Sequence, residues 1–279
     1  MMLPLIAVLF PAVFSATYSD AFCRNTMFPL ASAAYSAKPQ DCLTKIFGGT
    51  LKRQVNVKYD GETISGYTAS LPKQKAIVVS FRGTQGFLQL AGETDQSAFN
   101  AQVAWIAGGK VSKYFGDAFT ALWNGGMKND FSALRNANPT FEVWVTGHSL
   151  GGAMASLAAS YIAATNLAPG SSIKLVTLGQ PRTGDKTFSA THDKQFDYSF
   201  RLTHWRDLVP HVPMENFEGY YHHKSEAFYK EAMGPSDVTV CSADEDNKCS
   251  DGLDVTTSLD DHLHYFGKDV SAYGEGGCK

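Results

Sequence analysis

Charge is scarce in this chain. Asp, Glu, Lys and Arg make up 18% of its 279 residues, against about 25% in ordinary soluble domains, and they nearly cancel at a net charge of −3. Without clustered Lys and Arg there is little to neutralise phosphates, so nucleic acid is excluded as the main partner. No apolar run beyond the N-terminus approaches the ~18 residues of a membrane span. Cysteine is missing from the whole stretch 43–240, and no Cys-x-x-Cys pair exists, which argues against a zinc ribbon. No Asn-x-Ser/Thr acceptor occurs either: Asn25-Thr26-Met27 and Asn138-Pro139-Thr140 both fail. Repeats, low-complexity tracts and linkers are also missing, so residues 17–279 read as one domain.

What is present is a substantial core. Hydrophobic residues are 44% of the chain, and counting the 25 glycines in place of the 12 tyrosines gives about 49%, inside the globular range. Disorder is thereby excluded for the bulk of the chain. Residues 1–16, MMLPLIAVLFPAVFSA, are apolar and uncharged, and small residues Ser15 and Ala16 end them. This reads as a secretory signal, and export implies an extracellular, disulfide-permissive setting. Pro4 and Pro11 argue against a buried helix there. The five cysteines agree with export: Cys23, Cys42, Cys241, Cys249 and Cys278 all follow the signal. Cys241 and Cys249 enclose a polar loop suited to a local disulfide, and five is odd, leaving one thiol over.

Strands and helices alternate through the middle of the chain. Ala76–Phe81 and Ile173–Leu178 are short apolar runs of the kind buried on both faces, and 141–146 and 198–203 read the same way. Helical spacing fills 114–136, broken at Gly125-Gly126, and the Ala-rich stretch 150–166 is the strongest helix. The stretch 54–68 reads as an antiparallel hairpin at the edge. Strands separated by helices predict an α/β fold, a mostly parallel sheet with helices on both faces.

The chemistry concentrates at Gly147-His148-Ser149-Leu150-Gly151, a G-x-S-x-G sequence between a strand and the Ala-rich helix. That context is the nucleophile elbow, a turn so sharp that its glycines leave no room for a Cβ. The helix after it directs N–H groups at the reacting oxygen. A serine hydroxyl needs a histidine to take its proton and an acid to orient that histidine, in the chain order Ser, acid, His. Asp207 follows the strand 198–203 and fits the acid; Asp185 is the alternative, more naturally a helix N-cap. The late segment Asp261-His262-Leu263-His264 supplies two candidate bases. The remaining histidines, 192, 204, 211, 222 and 223, read as structural. His222 and His223 are poor metal partners for His262, because neighbours on a strand point apart, so no metal centre is expected.

Five segments together resemble the class 3 lipases of the fungal triacylglycerol-lipase type, which have the α/β-hydrolase fold. They are Ser80-Phe81-Arg82-Gly83-Thr84, residues 146–152, residues 177–184, Arg206-Asp207-Leu208-Val209-Pro210 and residues 261–266, in family order across roughly residues 30–270. The resemblance implies Ser149 as nucleophile, Asp207 as orienting acid and His262, which precedes Leu-x-Tyr-Phe, as base. It also implies an oxyanion hole from Thr84, through backbone N–H and hydroxyl, and the N–H of Leu150. The reaction implied is ester hydrolysis through an acyl-enzyme, with an ester or lipid substrate, transient contact with a lipid interface, and no metal or organic cofactor. A phospholipase A1 and a feruloyl-type esterase share this fold, and a non-catalytic binding protein is the alternative from another class. The resemblance further implies a lid at 85–95, where Phe87, Leu88 and Leu90 would fold over Ser149, and a Cys23–Cys278 bridge that leaves Cys42 unexplained. The acidic residues 244–254 read as a solvated disulfide loop.

Overall fold

The computed structural model describes residues 16–93 and 96–279. The signal-like residues 1–15 therefore lie outside the described part, as do positions 94 and 95.

Eight strands form one sheet in sequence order: β1 (Thr50–Tyr59), β2 (Glu62–Leu71), β3 (Ala76–Phe81), β4 (Glu142–His148), β5 (Ile173–Leu178), β6 (Tyr198–His204), β7 (Glu226–Tyr229) and β8 (Val238–Cys241). From β3 to β7 all neighbours run parallel, and the antiparallel pairs β1–β2, β2–β3 and β7–β8 close the two sides. The expected edge hairpin is thus real, with β1 outermost. Every residue of β3 is buried, and in β4 all but Glu142 are buried, which explains why these strands show no polar alternation.

Two apolar layers cover the faces. One is built on the helix Leu150–Ala164 and the helix Lys113–Leu122, with Phe115, Phe119, Trp123 and Phe131 packed beneath. The other gathers the N-terminal turns around Met27, Phe28 and Leu30 with the C-terminal helix Val270–Glu275. The break expected at Gly125-Gly126 appears as a kink, with Gly126 at φ 139° between Lys113–Leu122 and Lys128–Ala137. A non-glycine residue would be strained there.

Two disulfides form. Cys241–Cys249 closes the polar loop as expected. The second is Cys42–Cys278, not Cys23–Cys278. Cys23 is the thiol left over, buried beside Tyr18 and Tyr198, and burial pushes its pKa up to about 12. The physical reason is layer geometry: the C-terminal helix lies against the helix Phe28–Ala33, and Gly274 sits so close to Ser32 that a Cβ would meet its carbonyl at 1.8 Å. That contact carries Cys278 to Cys42, while Cys23 faces the sheet.

The acidic loop is also not simply solvated. Glu245 forms a two-pronged pair with Arg182, Nε–Oε1 and Nη2–Oε2 both at 2.9 Å, and Asp251 approaches the same guanidinium at 3.3 Å. Both Arg182 and Glu245 side chains are buried, so the loop is pinned to the residues following β5.

Candidate active site

Ser149 lies between β4 and the helix Leu150–Ala164, at φ 63° and ψ −133°. A side chain in this region is strained, and the surroundings hold it there. A Cβ on Gly147 would sit 2.1 Å from the Gly151 carbonyl oxygen, and one on Gly151 would sit 2.3 Å from that of Phe81. Only glycines let the chain turn this tightly beside β3. The Ser149 hydroxyl oxygen is buried and has no partner among the described residues. Leu150 opens the helix, so its N–H has no acceptor within the helix.

Asp207 and His262 meet although 55 residues separate them. His262 Nδ1 lies 2.9 Å and 3.0 Å from the two Asp207 carboxylate oxygens, and both residues are buried. Asp207 also accepts from the Val209 N–H at 2.8 Å and the Tyr265 hydroxyl at 3.0 Å. Burial alone would raise the Asp207 pKa, but His262 and these donors outweigh it and hold the carboxyl below the usual range. The carboxylate thus fixes the histidine with Nδ1 protonated, leaving Nε2 as the basic atom. That Nε2 is buried and has no partner among the described residues. Gly179, at φ 56°, makes the pairing fit: a Cβ there would lie 2.7 Å from the imidazole and 2.9 Å from Asp207.

A cleft of about 400 Å³ contains Ser149, His148, Gly83, Thr84 and Leu88, with Tyr35 in its wall. Thr84 caps the short helix Gln85–Gly92, its hydroxyl oxygen accepting from the Phe87 N–H at 3.2 Å. That bond takes a lone pair of the oxygen and leaves the hydroxyl proton unspent by the cap, so the hydroxyl and the backbone N–H both remain candidate oxyanion donors. The other candidates fall away from this centre. Asp185 caps the helix Lys186–His192 through the Phe188 N–H. His264 is half-exposed and turns to Asp260, with Nδ1 2.9 Å from its carbonyl oxygen. His222 donates from Nε2 to the Pro210 carbonyl at 2.7 Å and does not meet His262.

The class 3 lipase family model matches residues 78–217. A lipase of Caenorhabditis elegans is 32% identical over 94% of this chain and 83% of its own length. The chain belongs to the class 3 lipases. It is a serine ester hydrolase with the α/β-hydrolase fold. A Rhizopus niveus lipase is 35% identical over 77% of the chain, which spans about half of that relative's length. Among solved structures, a lipase from Rhizopus microsporus var. chinensis superposes with a TM-score of 0.79 at 28% identity, covering 100% of this chain and 98% of that one. The Rhizomucor miehei triacylglyceride lipase superposes with a TM-score of 0.77 at 26% identity, covering 91% and 97%.

The segment expected to act as a lid behaves differently in this class 3 lipase. Phe87 does not cover Ser149. It is fully buried in the main core, against Phe99, Tyr114 and Phe115. Leu88 alone of the three apolar residues lines the cleft; Leu90 faces a separate depression with Tyr114 and Ala98. The reason is helical spacing: residues 87, 88 and 90 of one short helix cannot all face the same way.

Sequence reasoning missed three supports. Tyr265 steadies Asp207, and the Leu-x-Tyr-Phe match contained it unrecognised. Gly179 makes room for His262. The third is a relay behind the site: the Gly83 N–H donates to the Tyr35 hydroxyl at 3.1 Å, which bonds His148 Nδ1 at 2.7 Å. His148 Nε2 in turn donates to the His262 carbonyl at 2.8 Å. Burial, then the neighbouring His262, push the His148 pKa down to about 3, so this ring stays neutral. No periodicity could reveal it, because Tyr35 and His148 are 113 residues apart in the chain.

Proposed function

We propose that this chain is a secreted lipase hydrolysing glycerol esters of fatty acids, with Ser149 as nucleophile, His262 as general base and Asp207 as its orienting partner. The observation that carries this reading is the buried Asp207–His262 pair, which leaves a basic Nε2 without a partner, together with Ser149 held at positive φ in the cleft. His262 Nε2 takes the Ser149 proton as the oxygen attacks the ester carbonyl. The tetrahedral oxyanion is held by the N–H groups of Thr84 and Leu150, each contributing about 2.7–4 kcal/mol. The alcohol leaves with the proton from His262, and water activated by the same nitrogen frees the acid. The relatives support the substrate class: one is a Fusarium solani secreted mono- and diacylglycerol lipase, 33% identical over 73% of this chain. Two disulfides support an oxidising destination.

The test is a substrate panel with the Ser149→Ala variant beside it. Emulsified acylglycerols should be cleaved faster than phospholipids or feruloyl esters. The alanine variant should lose nearly all activity and all labelling by an organophosphate, retaining a residual rate above that of water. Faster phospholipid cleavage would make this a phospholipase A1, and undiminished labelling of the variant would remove Ser149 from its role.

A further inference from the structure

A second polar cluster lies apart from the Ser149 cleft and is used by nothing in the reaction. His192 ends the helix Lys186–His192, Asp193 follows it, and His223 comes from the loop after Tyr220–Tyr221. One ring nitrogen from each histidine and one Asp193 oxygen lie within 4.8 Å of one another. A point equidistant from three atoms at that spacing is at most about 2.8 Å from each. The two rings stack with centres 3.7 Å apart and planes 20° apart, so one ring must turn out of the stack for both nitrogens to meet one cation at the roughly 2.0–2.2 Å of zinc ligands.

Several independent features point the same way. The Nε2 atoms of both histidines already meet Ser156 Oγ, at 3.2 Å and 3.0 Å, which leaves both Nδ1 atoms on the far side. His192 is 1% exposed, and its Nδ1 has no hydrogen-bond partner among the described residues, a costly state for a buried nitrogen. His223 Nδ1 makes only a long 3.3 Å contact with the Lys224 carbonyl. The Gln180 side-chain oxygen beside His223 is likewise unpartnered, and turning that amide would let it accept from His223 Nε2–H. Ser156 Oγ can accept from both Nε2–H groups at once, the outer support that ligating imidazoles usually have. The Asp244 carboxyl stands next to that of Asp193. Arg201 is the nearby cation, and Glu226 faces it at 4.0 Å. A cavity of about 130 Å³, lined by His192, Asp193 and Lys224, gives entry.

We propose that His192 and His223, through Nδ1, and Asp193, through its carboxylate, bind one divalent zinc-like cation. Two imidazoles with carboxylate oxygen suit zinc better than calcium or magnesium, which prefer all-oxygen sites. The cation would tie the helix Lys186–His192 to the loop at 222–225 and is structural, since the site shares no residue with the Ser149 cleft.

The experiment uses the full secreted chain, stripped with chelator and dialysed against zinc, with metal content measured by atomic emission and unfolding followed thermally. A cobalt-loaded sample gives an independent ligand-field spectrum. One zinc per chain, a raised unfolding midpoint and a tetrahedral cobalt spectrum are expected. Asp193→Asn, which keeps the contact with the Lys224 N–H, and His223→Gln should each weaken zinc binding on the order of 10–100-fold or more. Both should still hydrolyse a dissolved ester, which shows that they are folded. No retained zinc in the unaltered protein, or equal retention by both variants, overturns the proposal.

Discussion

Acid should unfold this protein early, because four of its eight histidines are buried and held neutral. Burial pushes the pKa of His148 and of His192 from 6.5 down to about 3, and pushes His222 and His223 well below their ordinary value. The sign follows from proton counting. Below pH 6.5 the unfolded chain protonates these rings and the folded one does not, so stability is full above 6.5 and lost as pH falls. At pH 5 His148 and His192 each remove about 2 kcal/mol, and His222 and His223 act in the same direction. Two groups oppose them: Asp193 is raised to about 7 by burial and by Asp244, and burial raises Glu245, so both take up a proton in the folded state first. Asp193 is partly solvated and offsets at most one histidine. His148 and His192 alone remove about 4 kcal/mol by pH 5, a large share of the 5–15 kcal/mol that ordinarily holds a domain together. Urea unfolding at pH 7.5, 6.5, 5.5 and 5, with a chelator present to keep His192 and His223 free of metal, measures this directly. The midpoint should fall steeply below pH 6.5, and His222→Gln, which can still donate to the Pro210 carbonyl, should flatten the fall. Midpoints that stay level from pH 7.5 to 5 would refute the reasoning, and with it the assignment of neutral buried rings.

Replacing the two late histidines separately should divide their roles: His262→Ala should cost on the order of 10⁴-fold or more in turnover, and His264→Ala little, in steady-state ester hydrolysis. Gly179→Ala puts a Cβ 2.7 Å from the His262 ring and a side chain at φ 56°, so kcat should drop at least 10-fold, on the scale of a small misplacement at a reacting centre, with KM nearly unchanged. Because Phe87 is anchored in the core, opening the helix Gln85–Gly92 would expose a side chain whose burial contributes about 1.5–3 kcal/mol. The rate against a short-chain triglyceride should therefore rise smoothly through its solubility limit. A sharp jump at that limit would show that the segment moves after all.

The sequence by itself determined the frame of this molecule. Runs such as Ala76–Phe81 and Ile173–Leu178 are apolar throughout because both faces of a parallel sheet are covered, and that pattern needs no tertiary information to read. The elbow at Gly147–Gly151 was equally legible, since a sharp turn between strand and helix restricts its residues locally. The acid and base candidates were narrowed by order along the chain; position after a strand end favoured Asp207 over Asp185, and the resemblance to the class 3 lipases selected His262 over His264.

What the sequence could not decide were contacts between residues far apart in the chain. Cys278 pairs with Cys42 because the C-terminal helix packs against the helix Phe28–Ala33, and no cysteine spacing encodes that docking. Phe87 enters the core instead of covering Ser149 because a cavity among Phe99, Tyr114 and Phe115 receives it. Glu245 is buried against Arg182, although its neighbours in sequence look like a solvated loop. His192 and His223 stack with ring centres 3.7 Å apart only because the sheet brings a helix end and a loop together. Composition and periodicity report how each segment meets water, which is a local property. Which buried groups then face each other is a property of the closed tertiary structure alone.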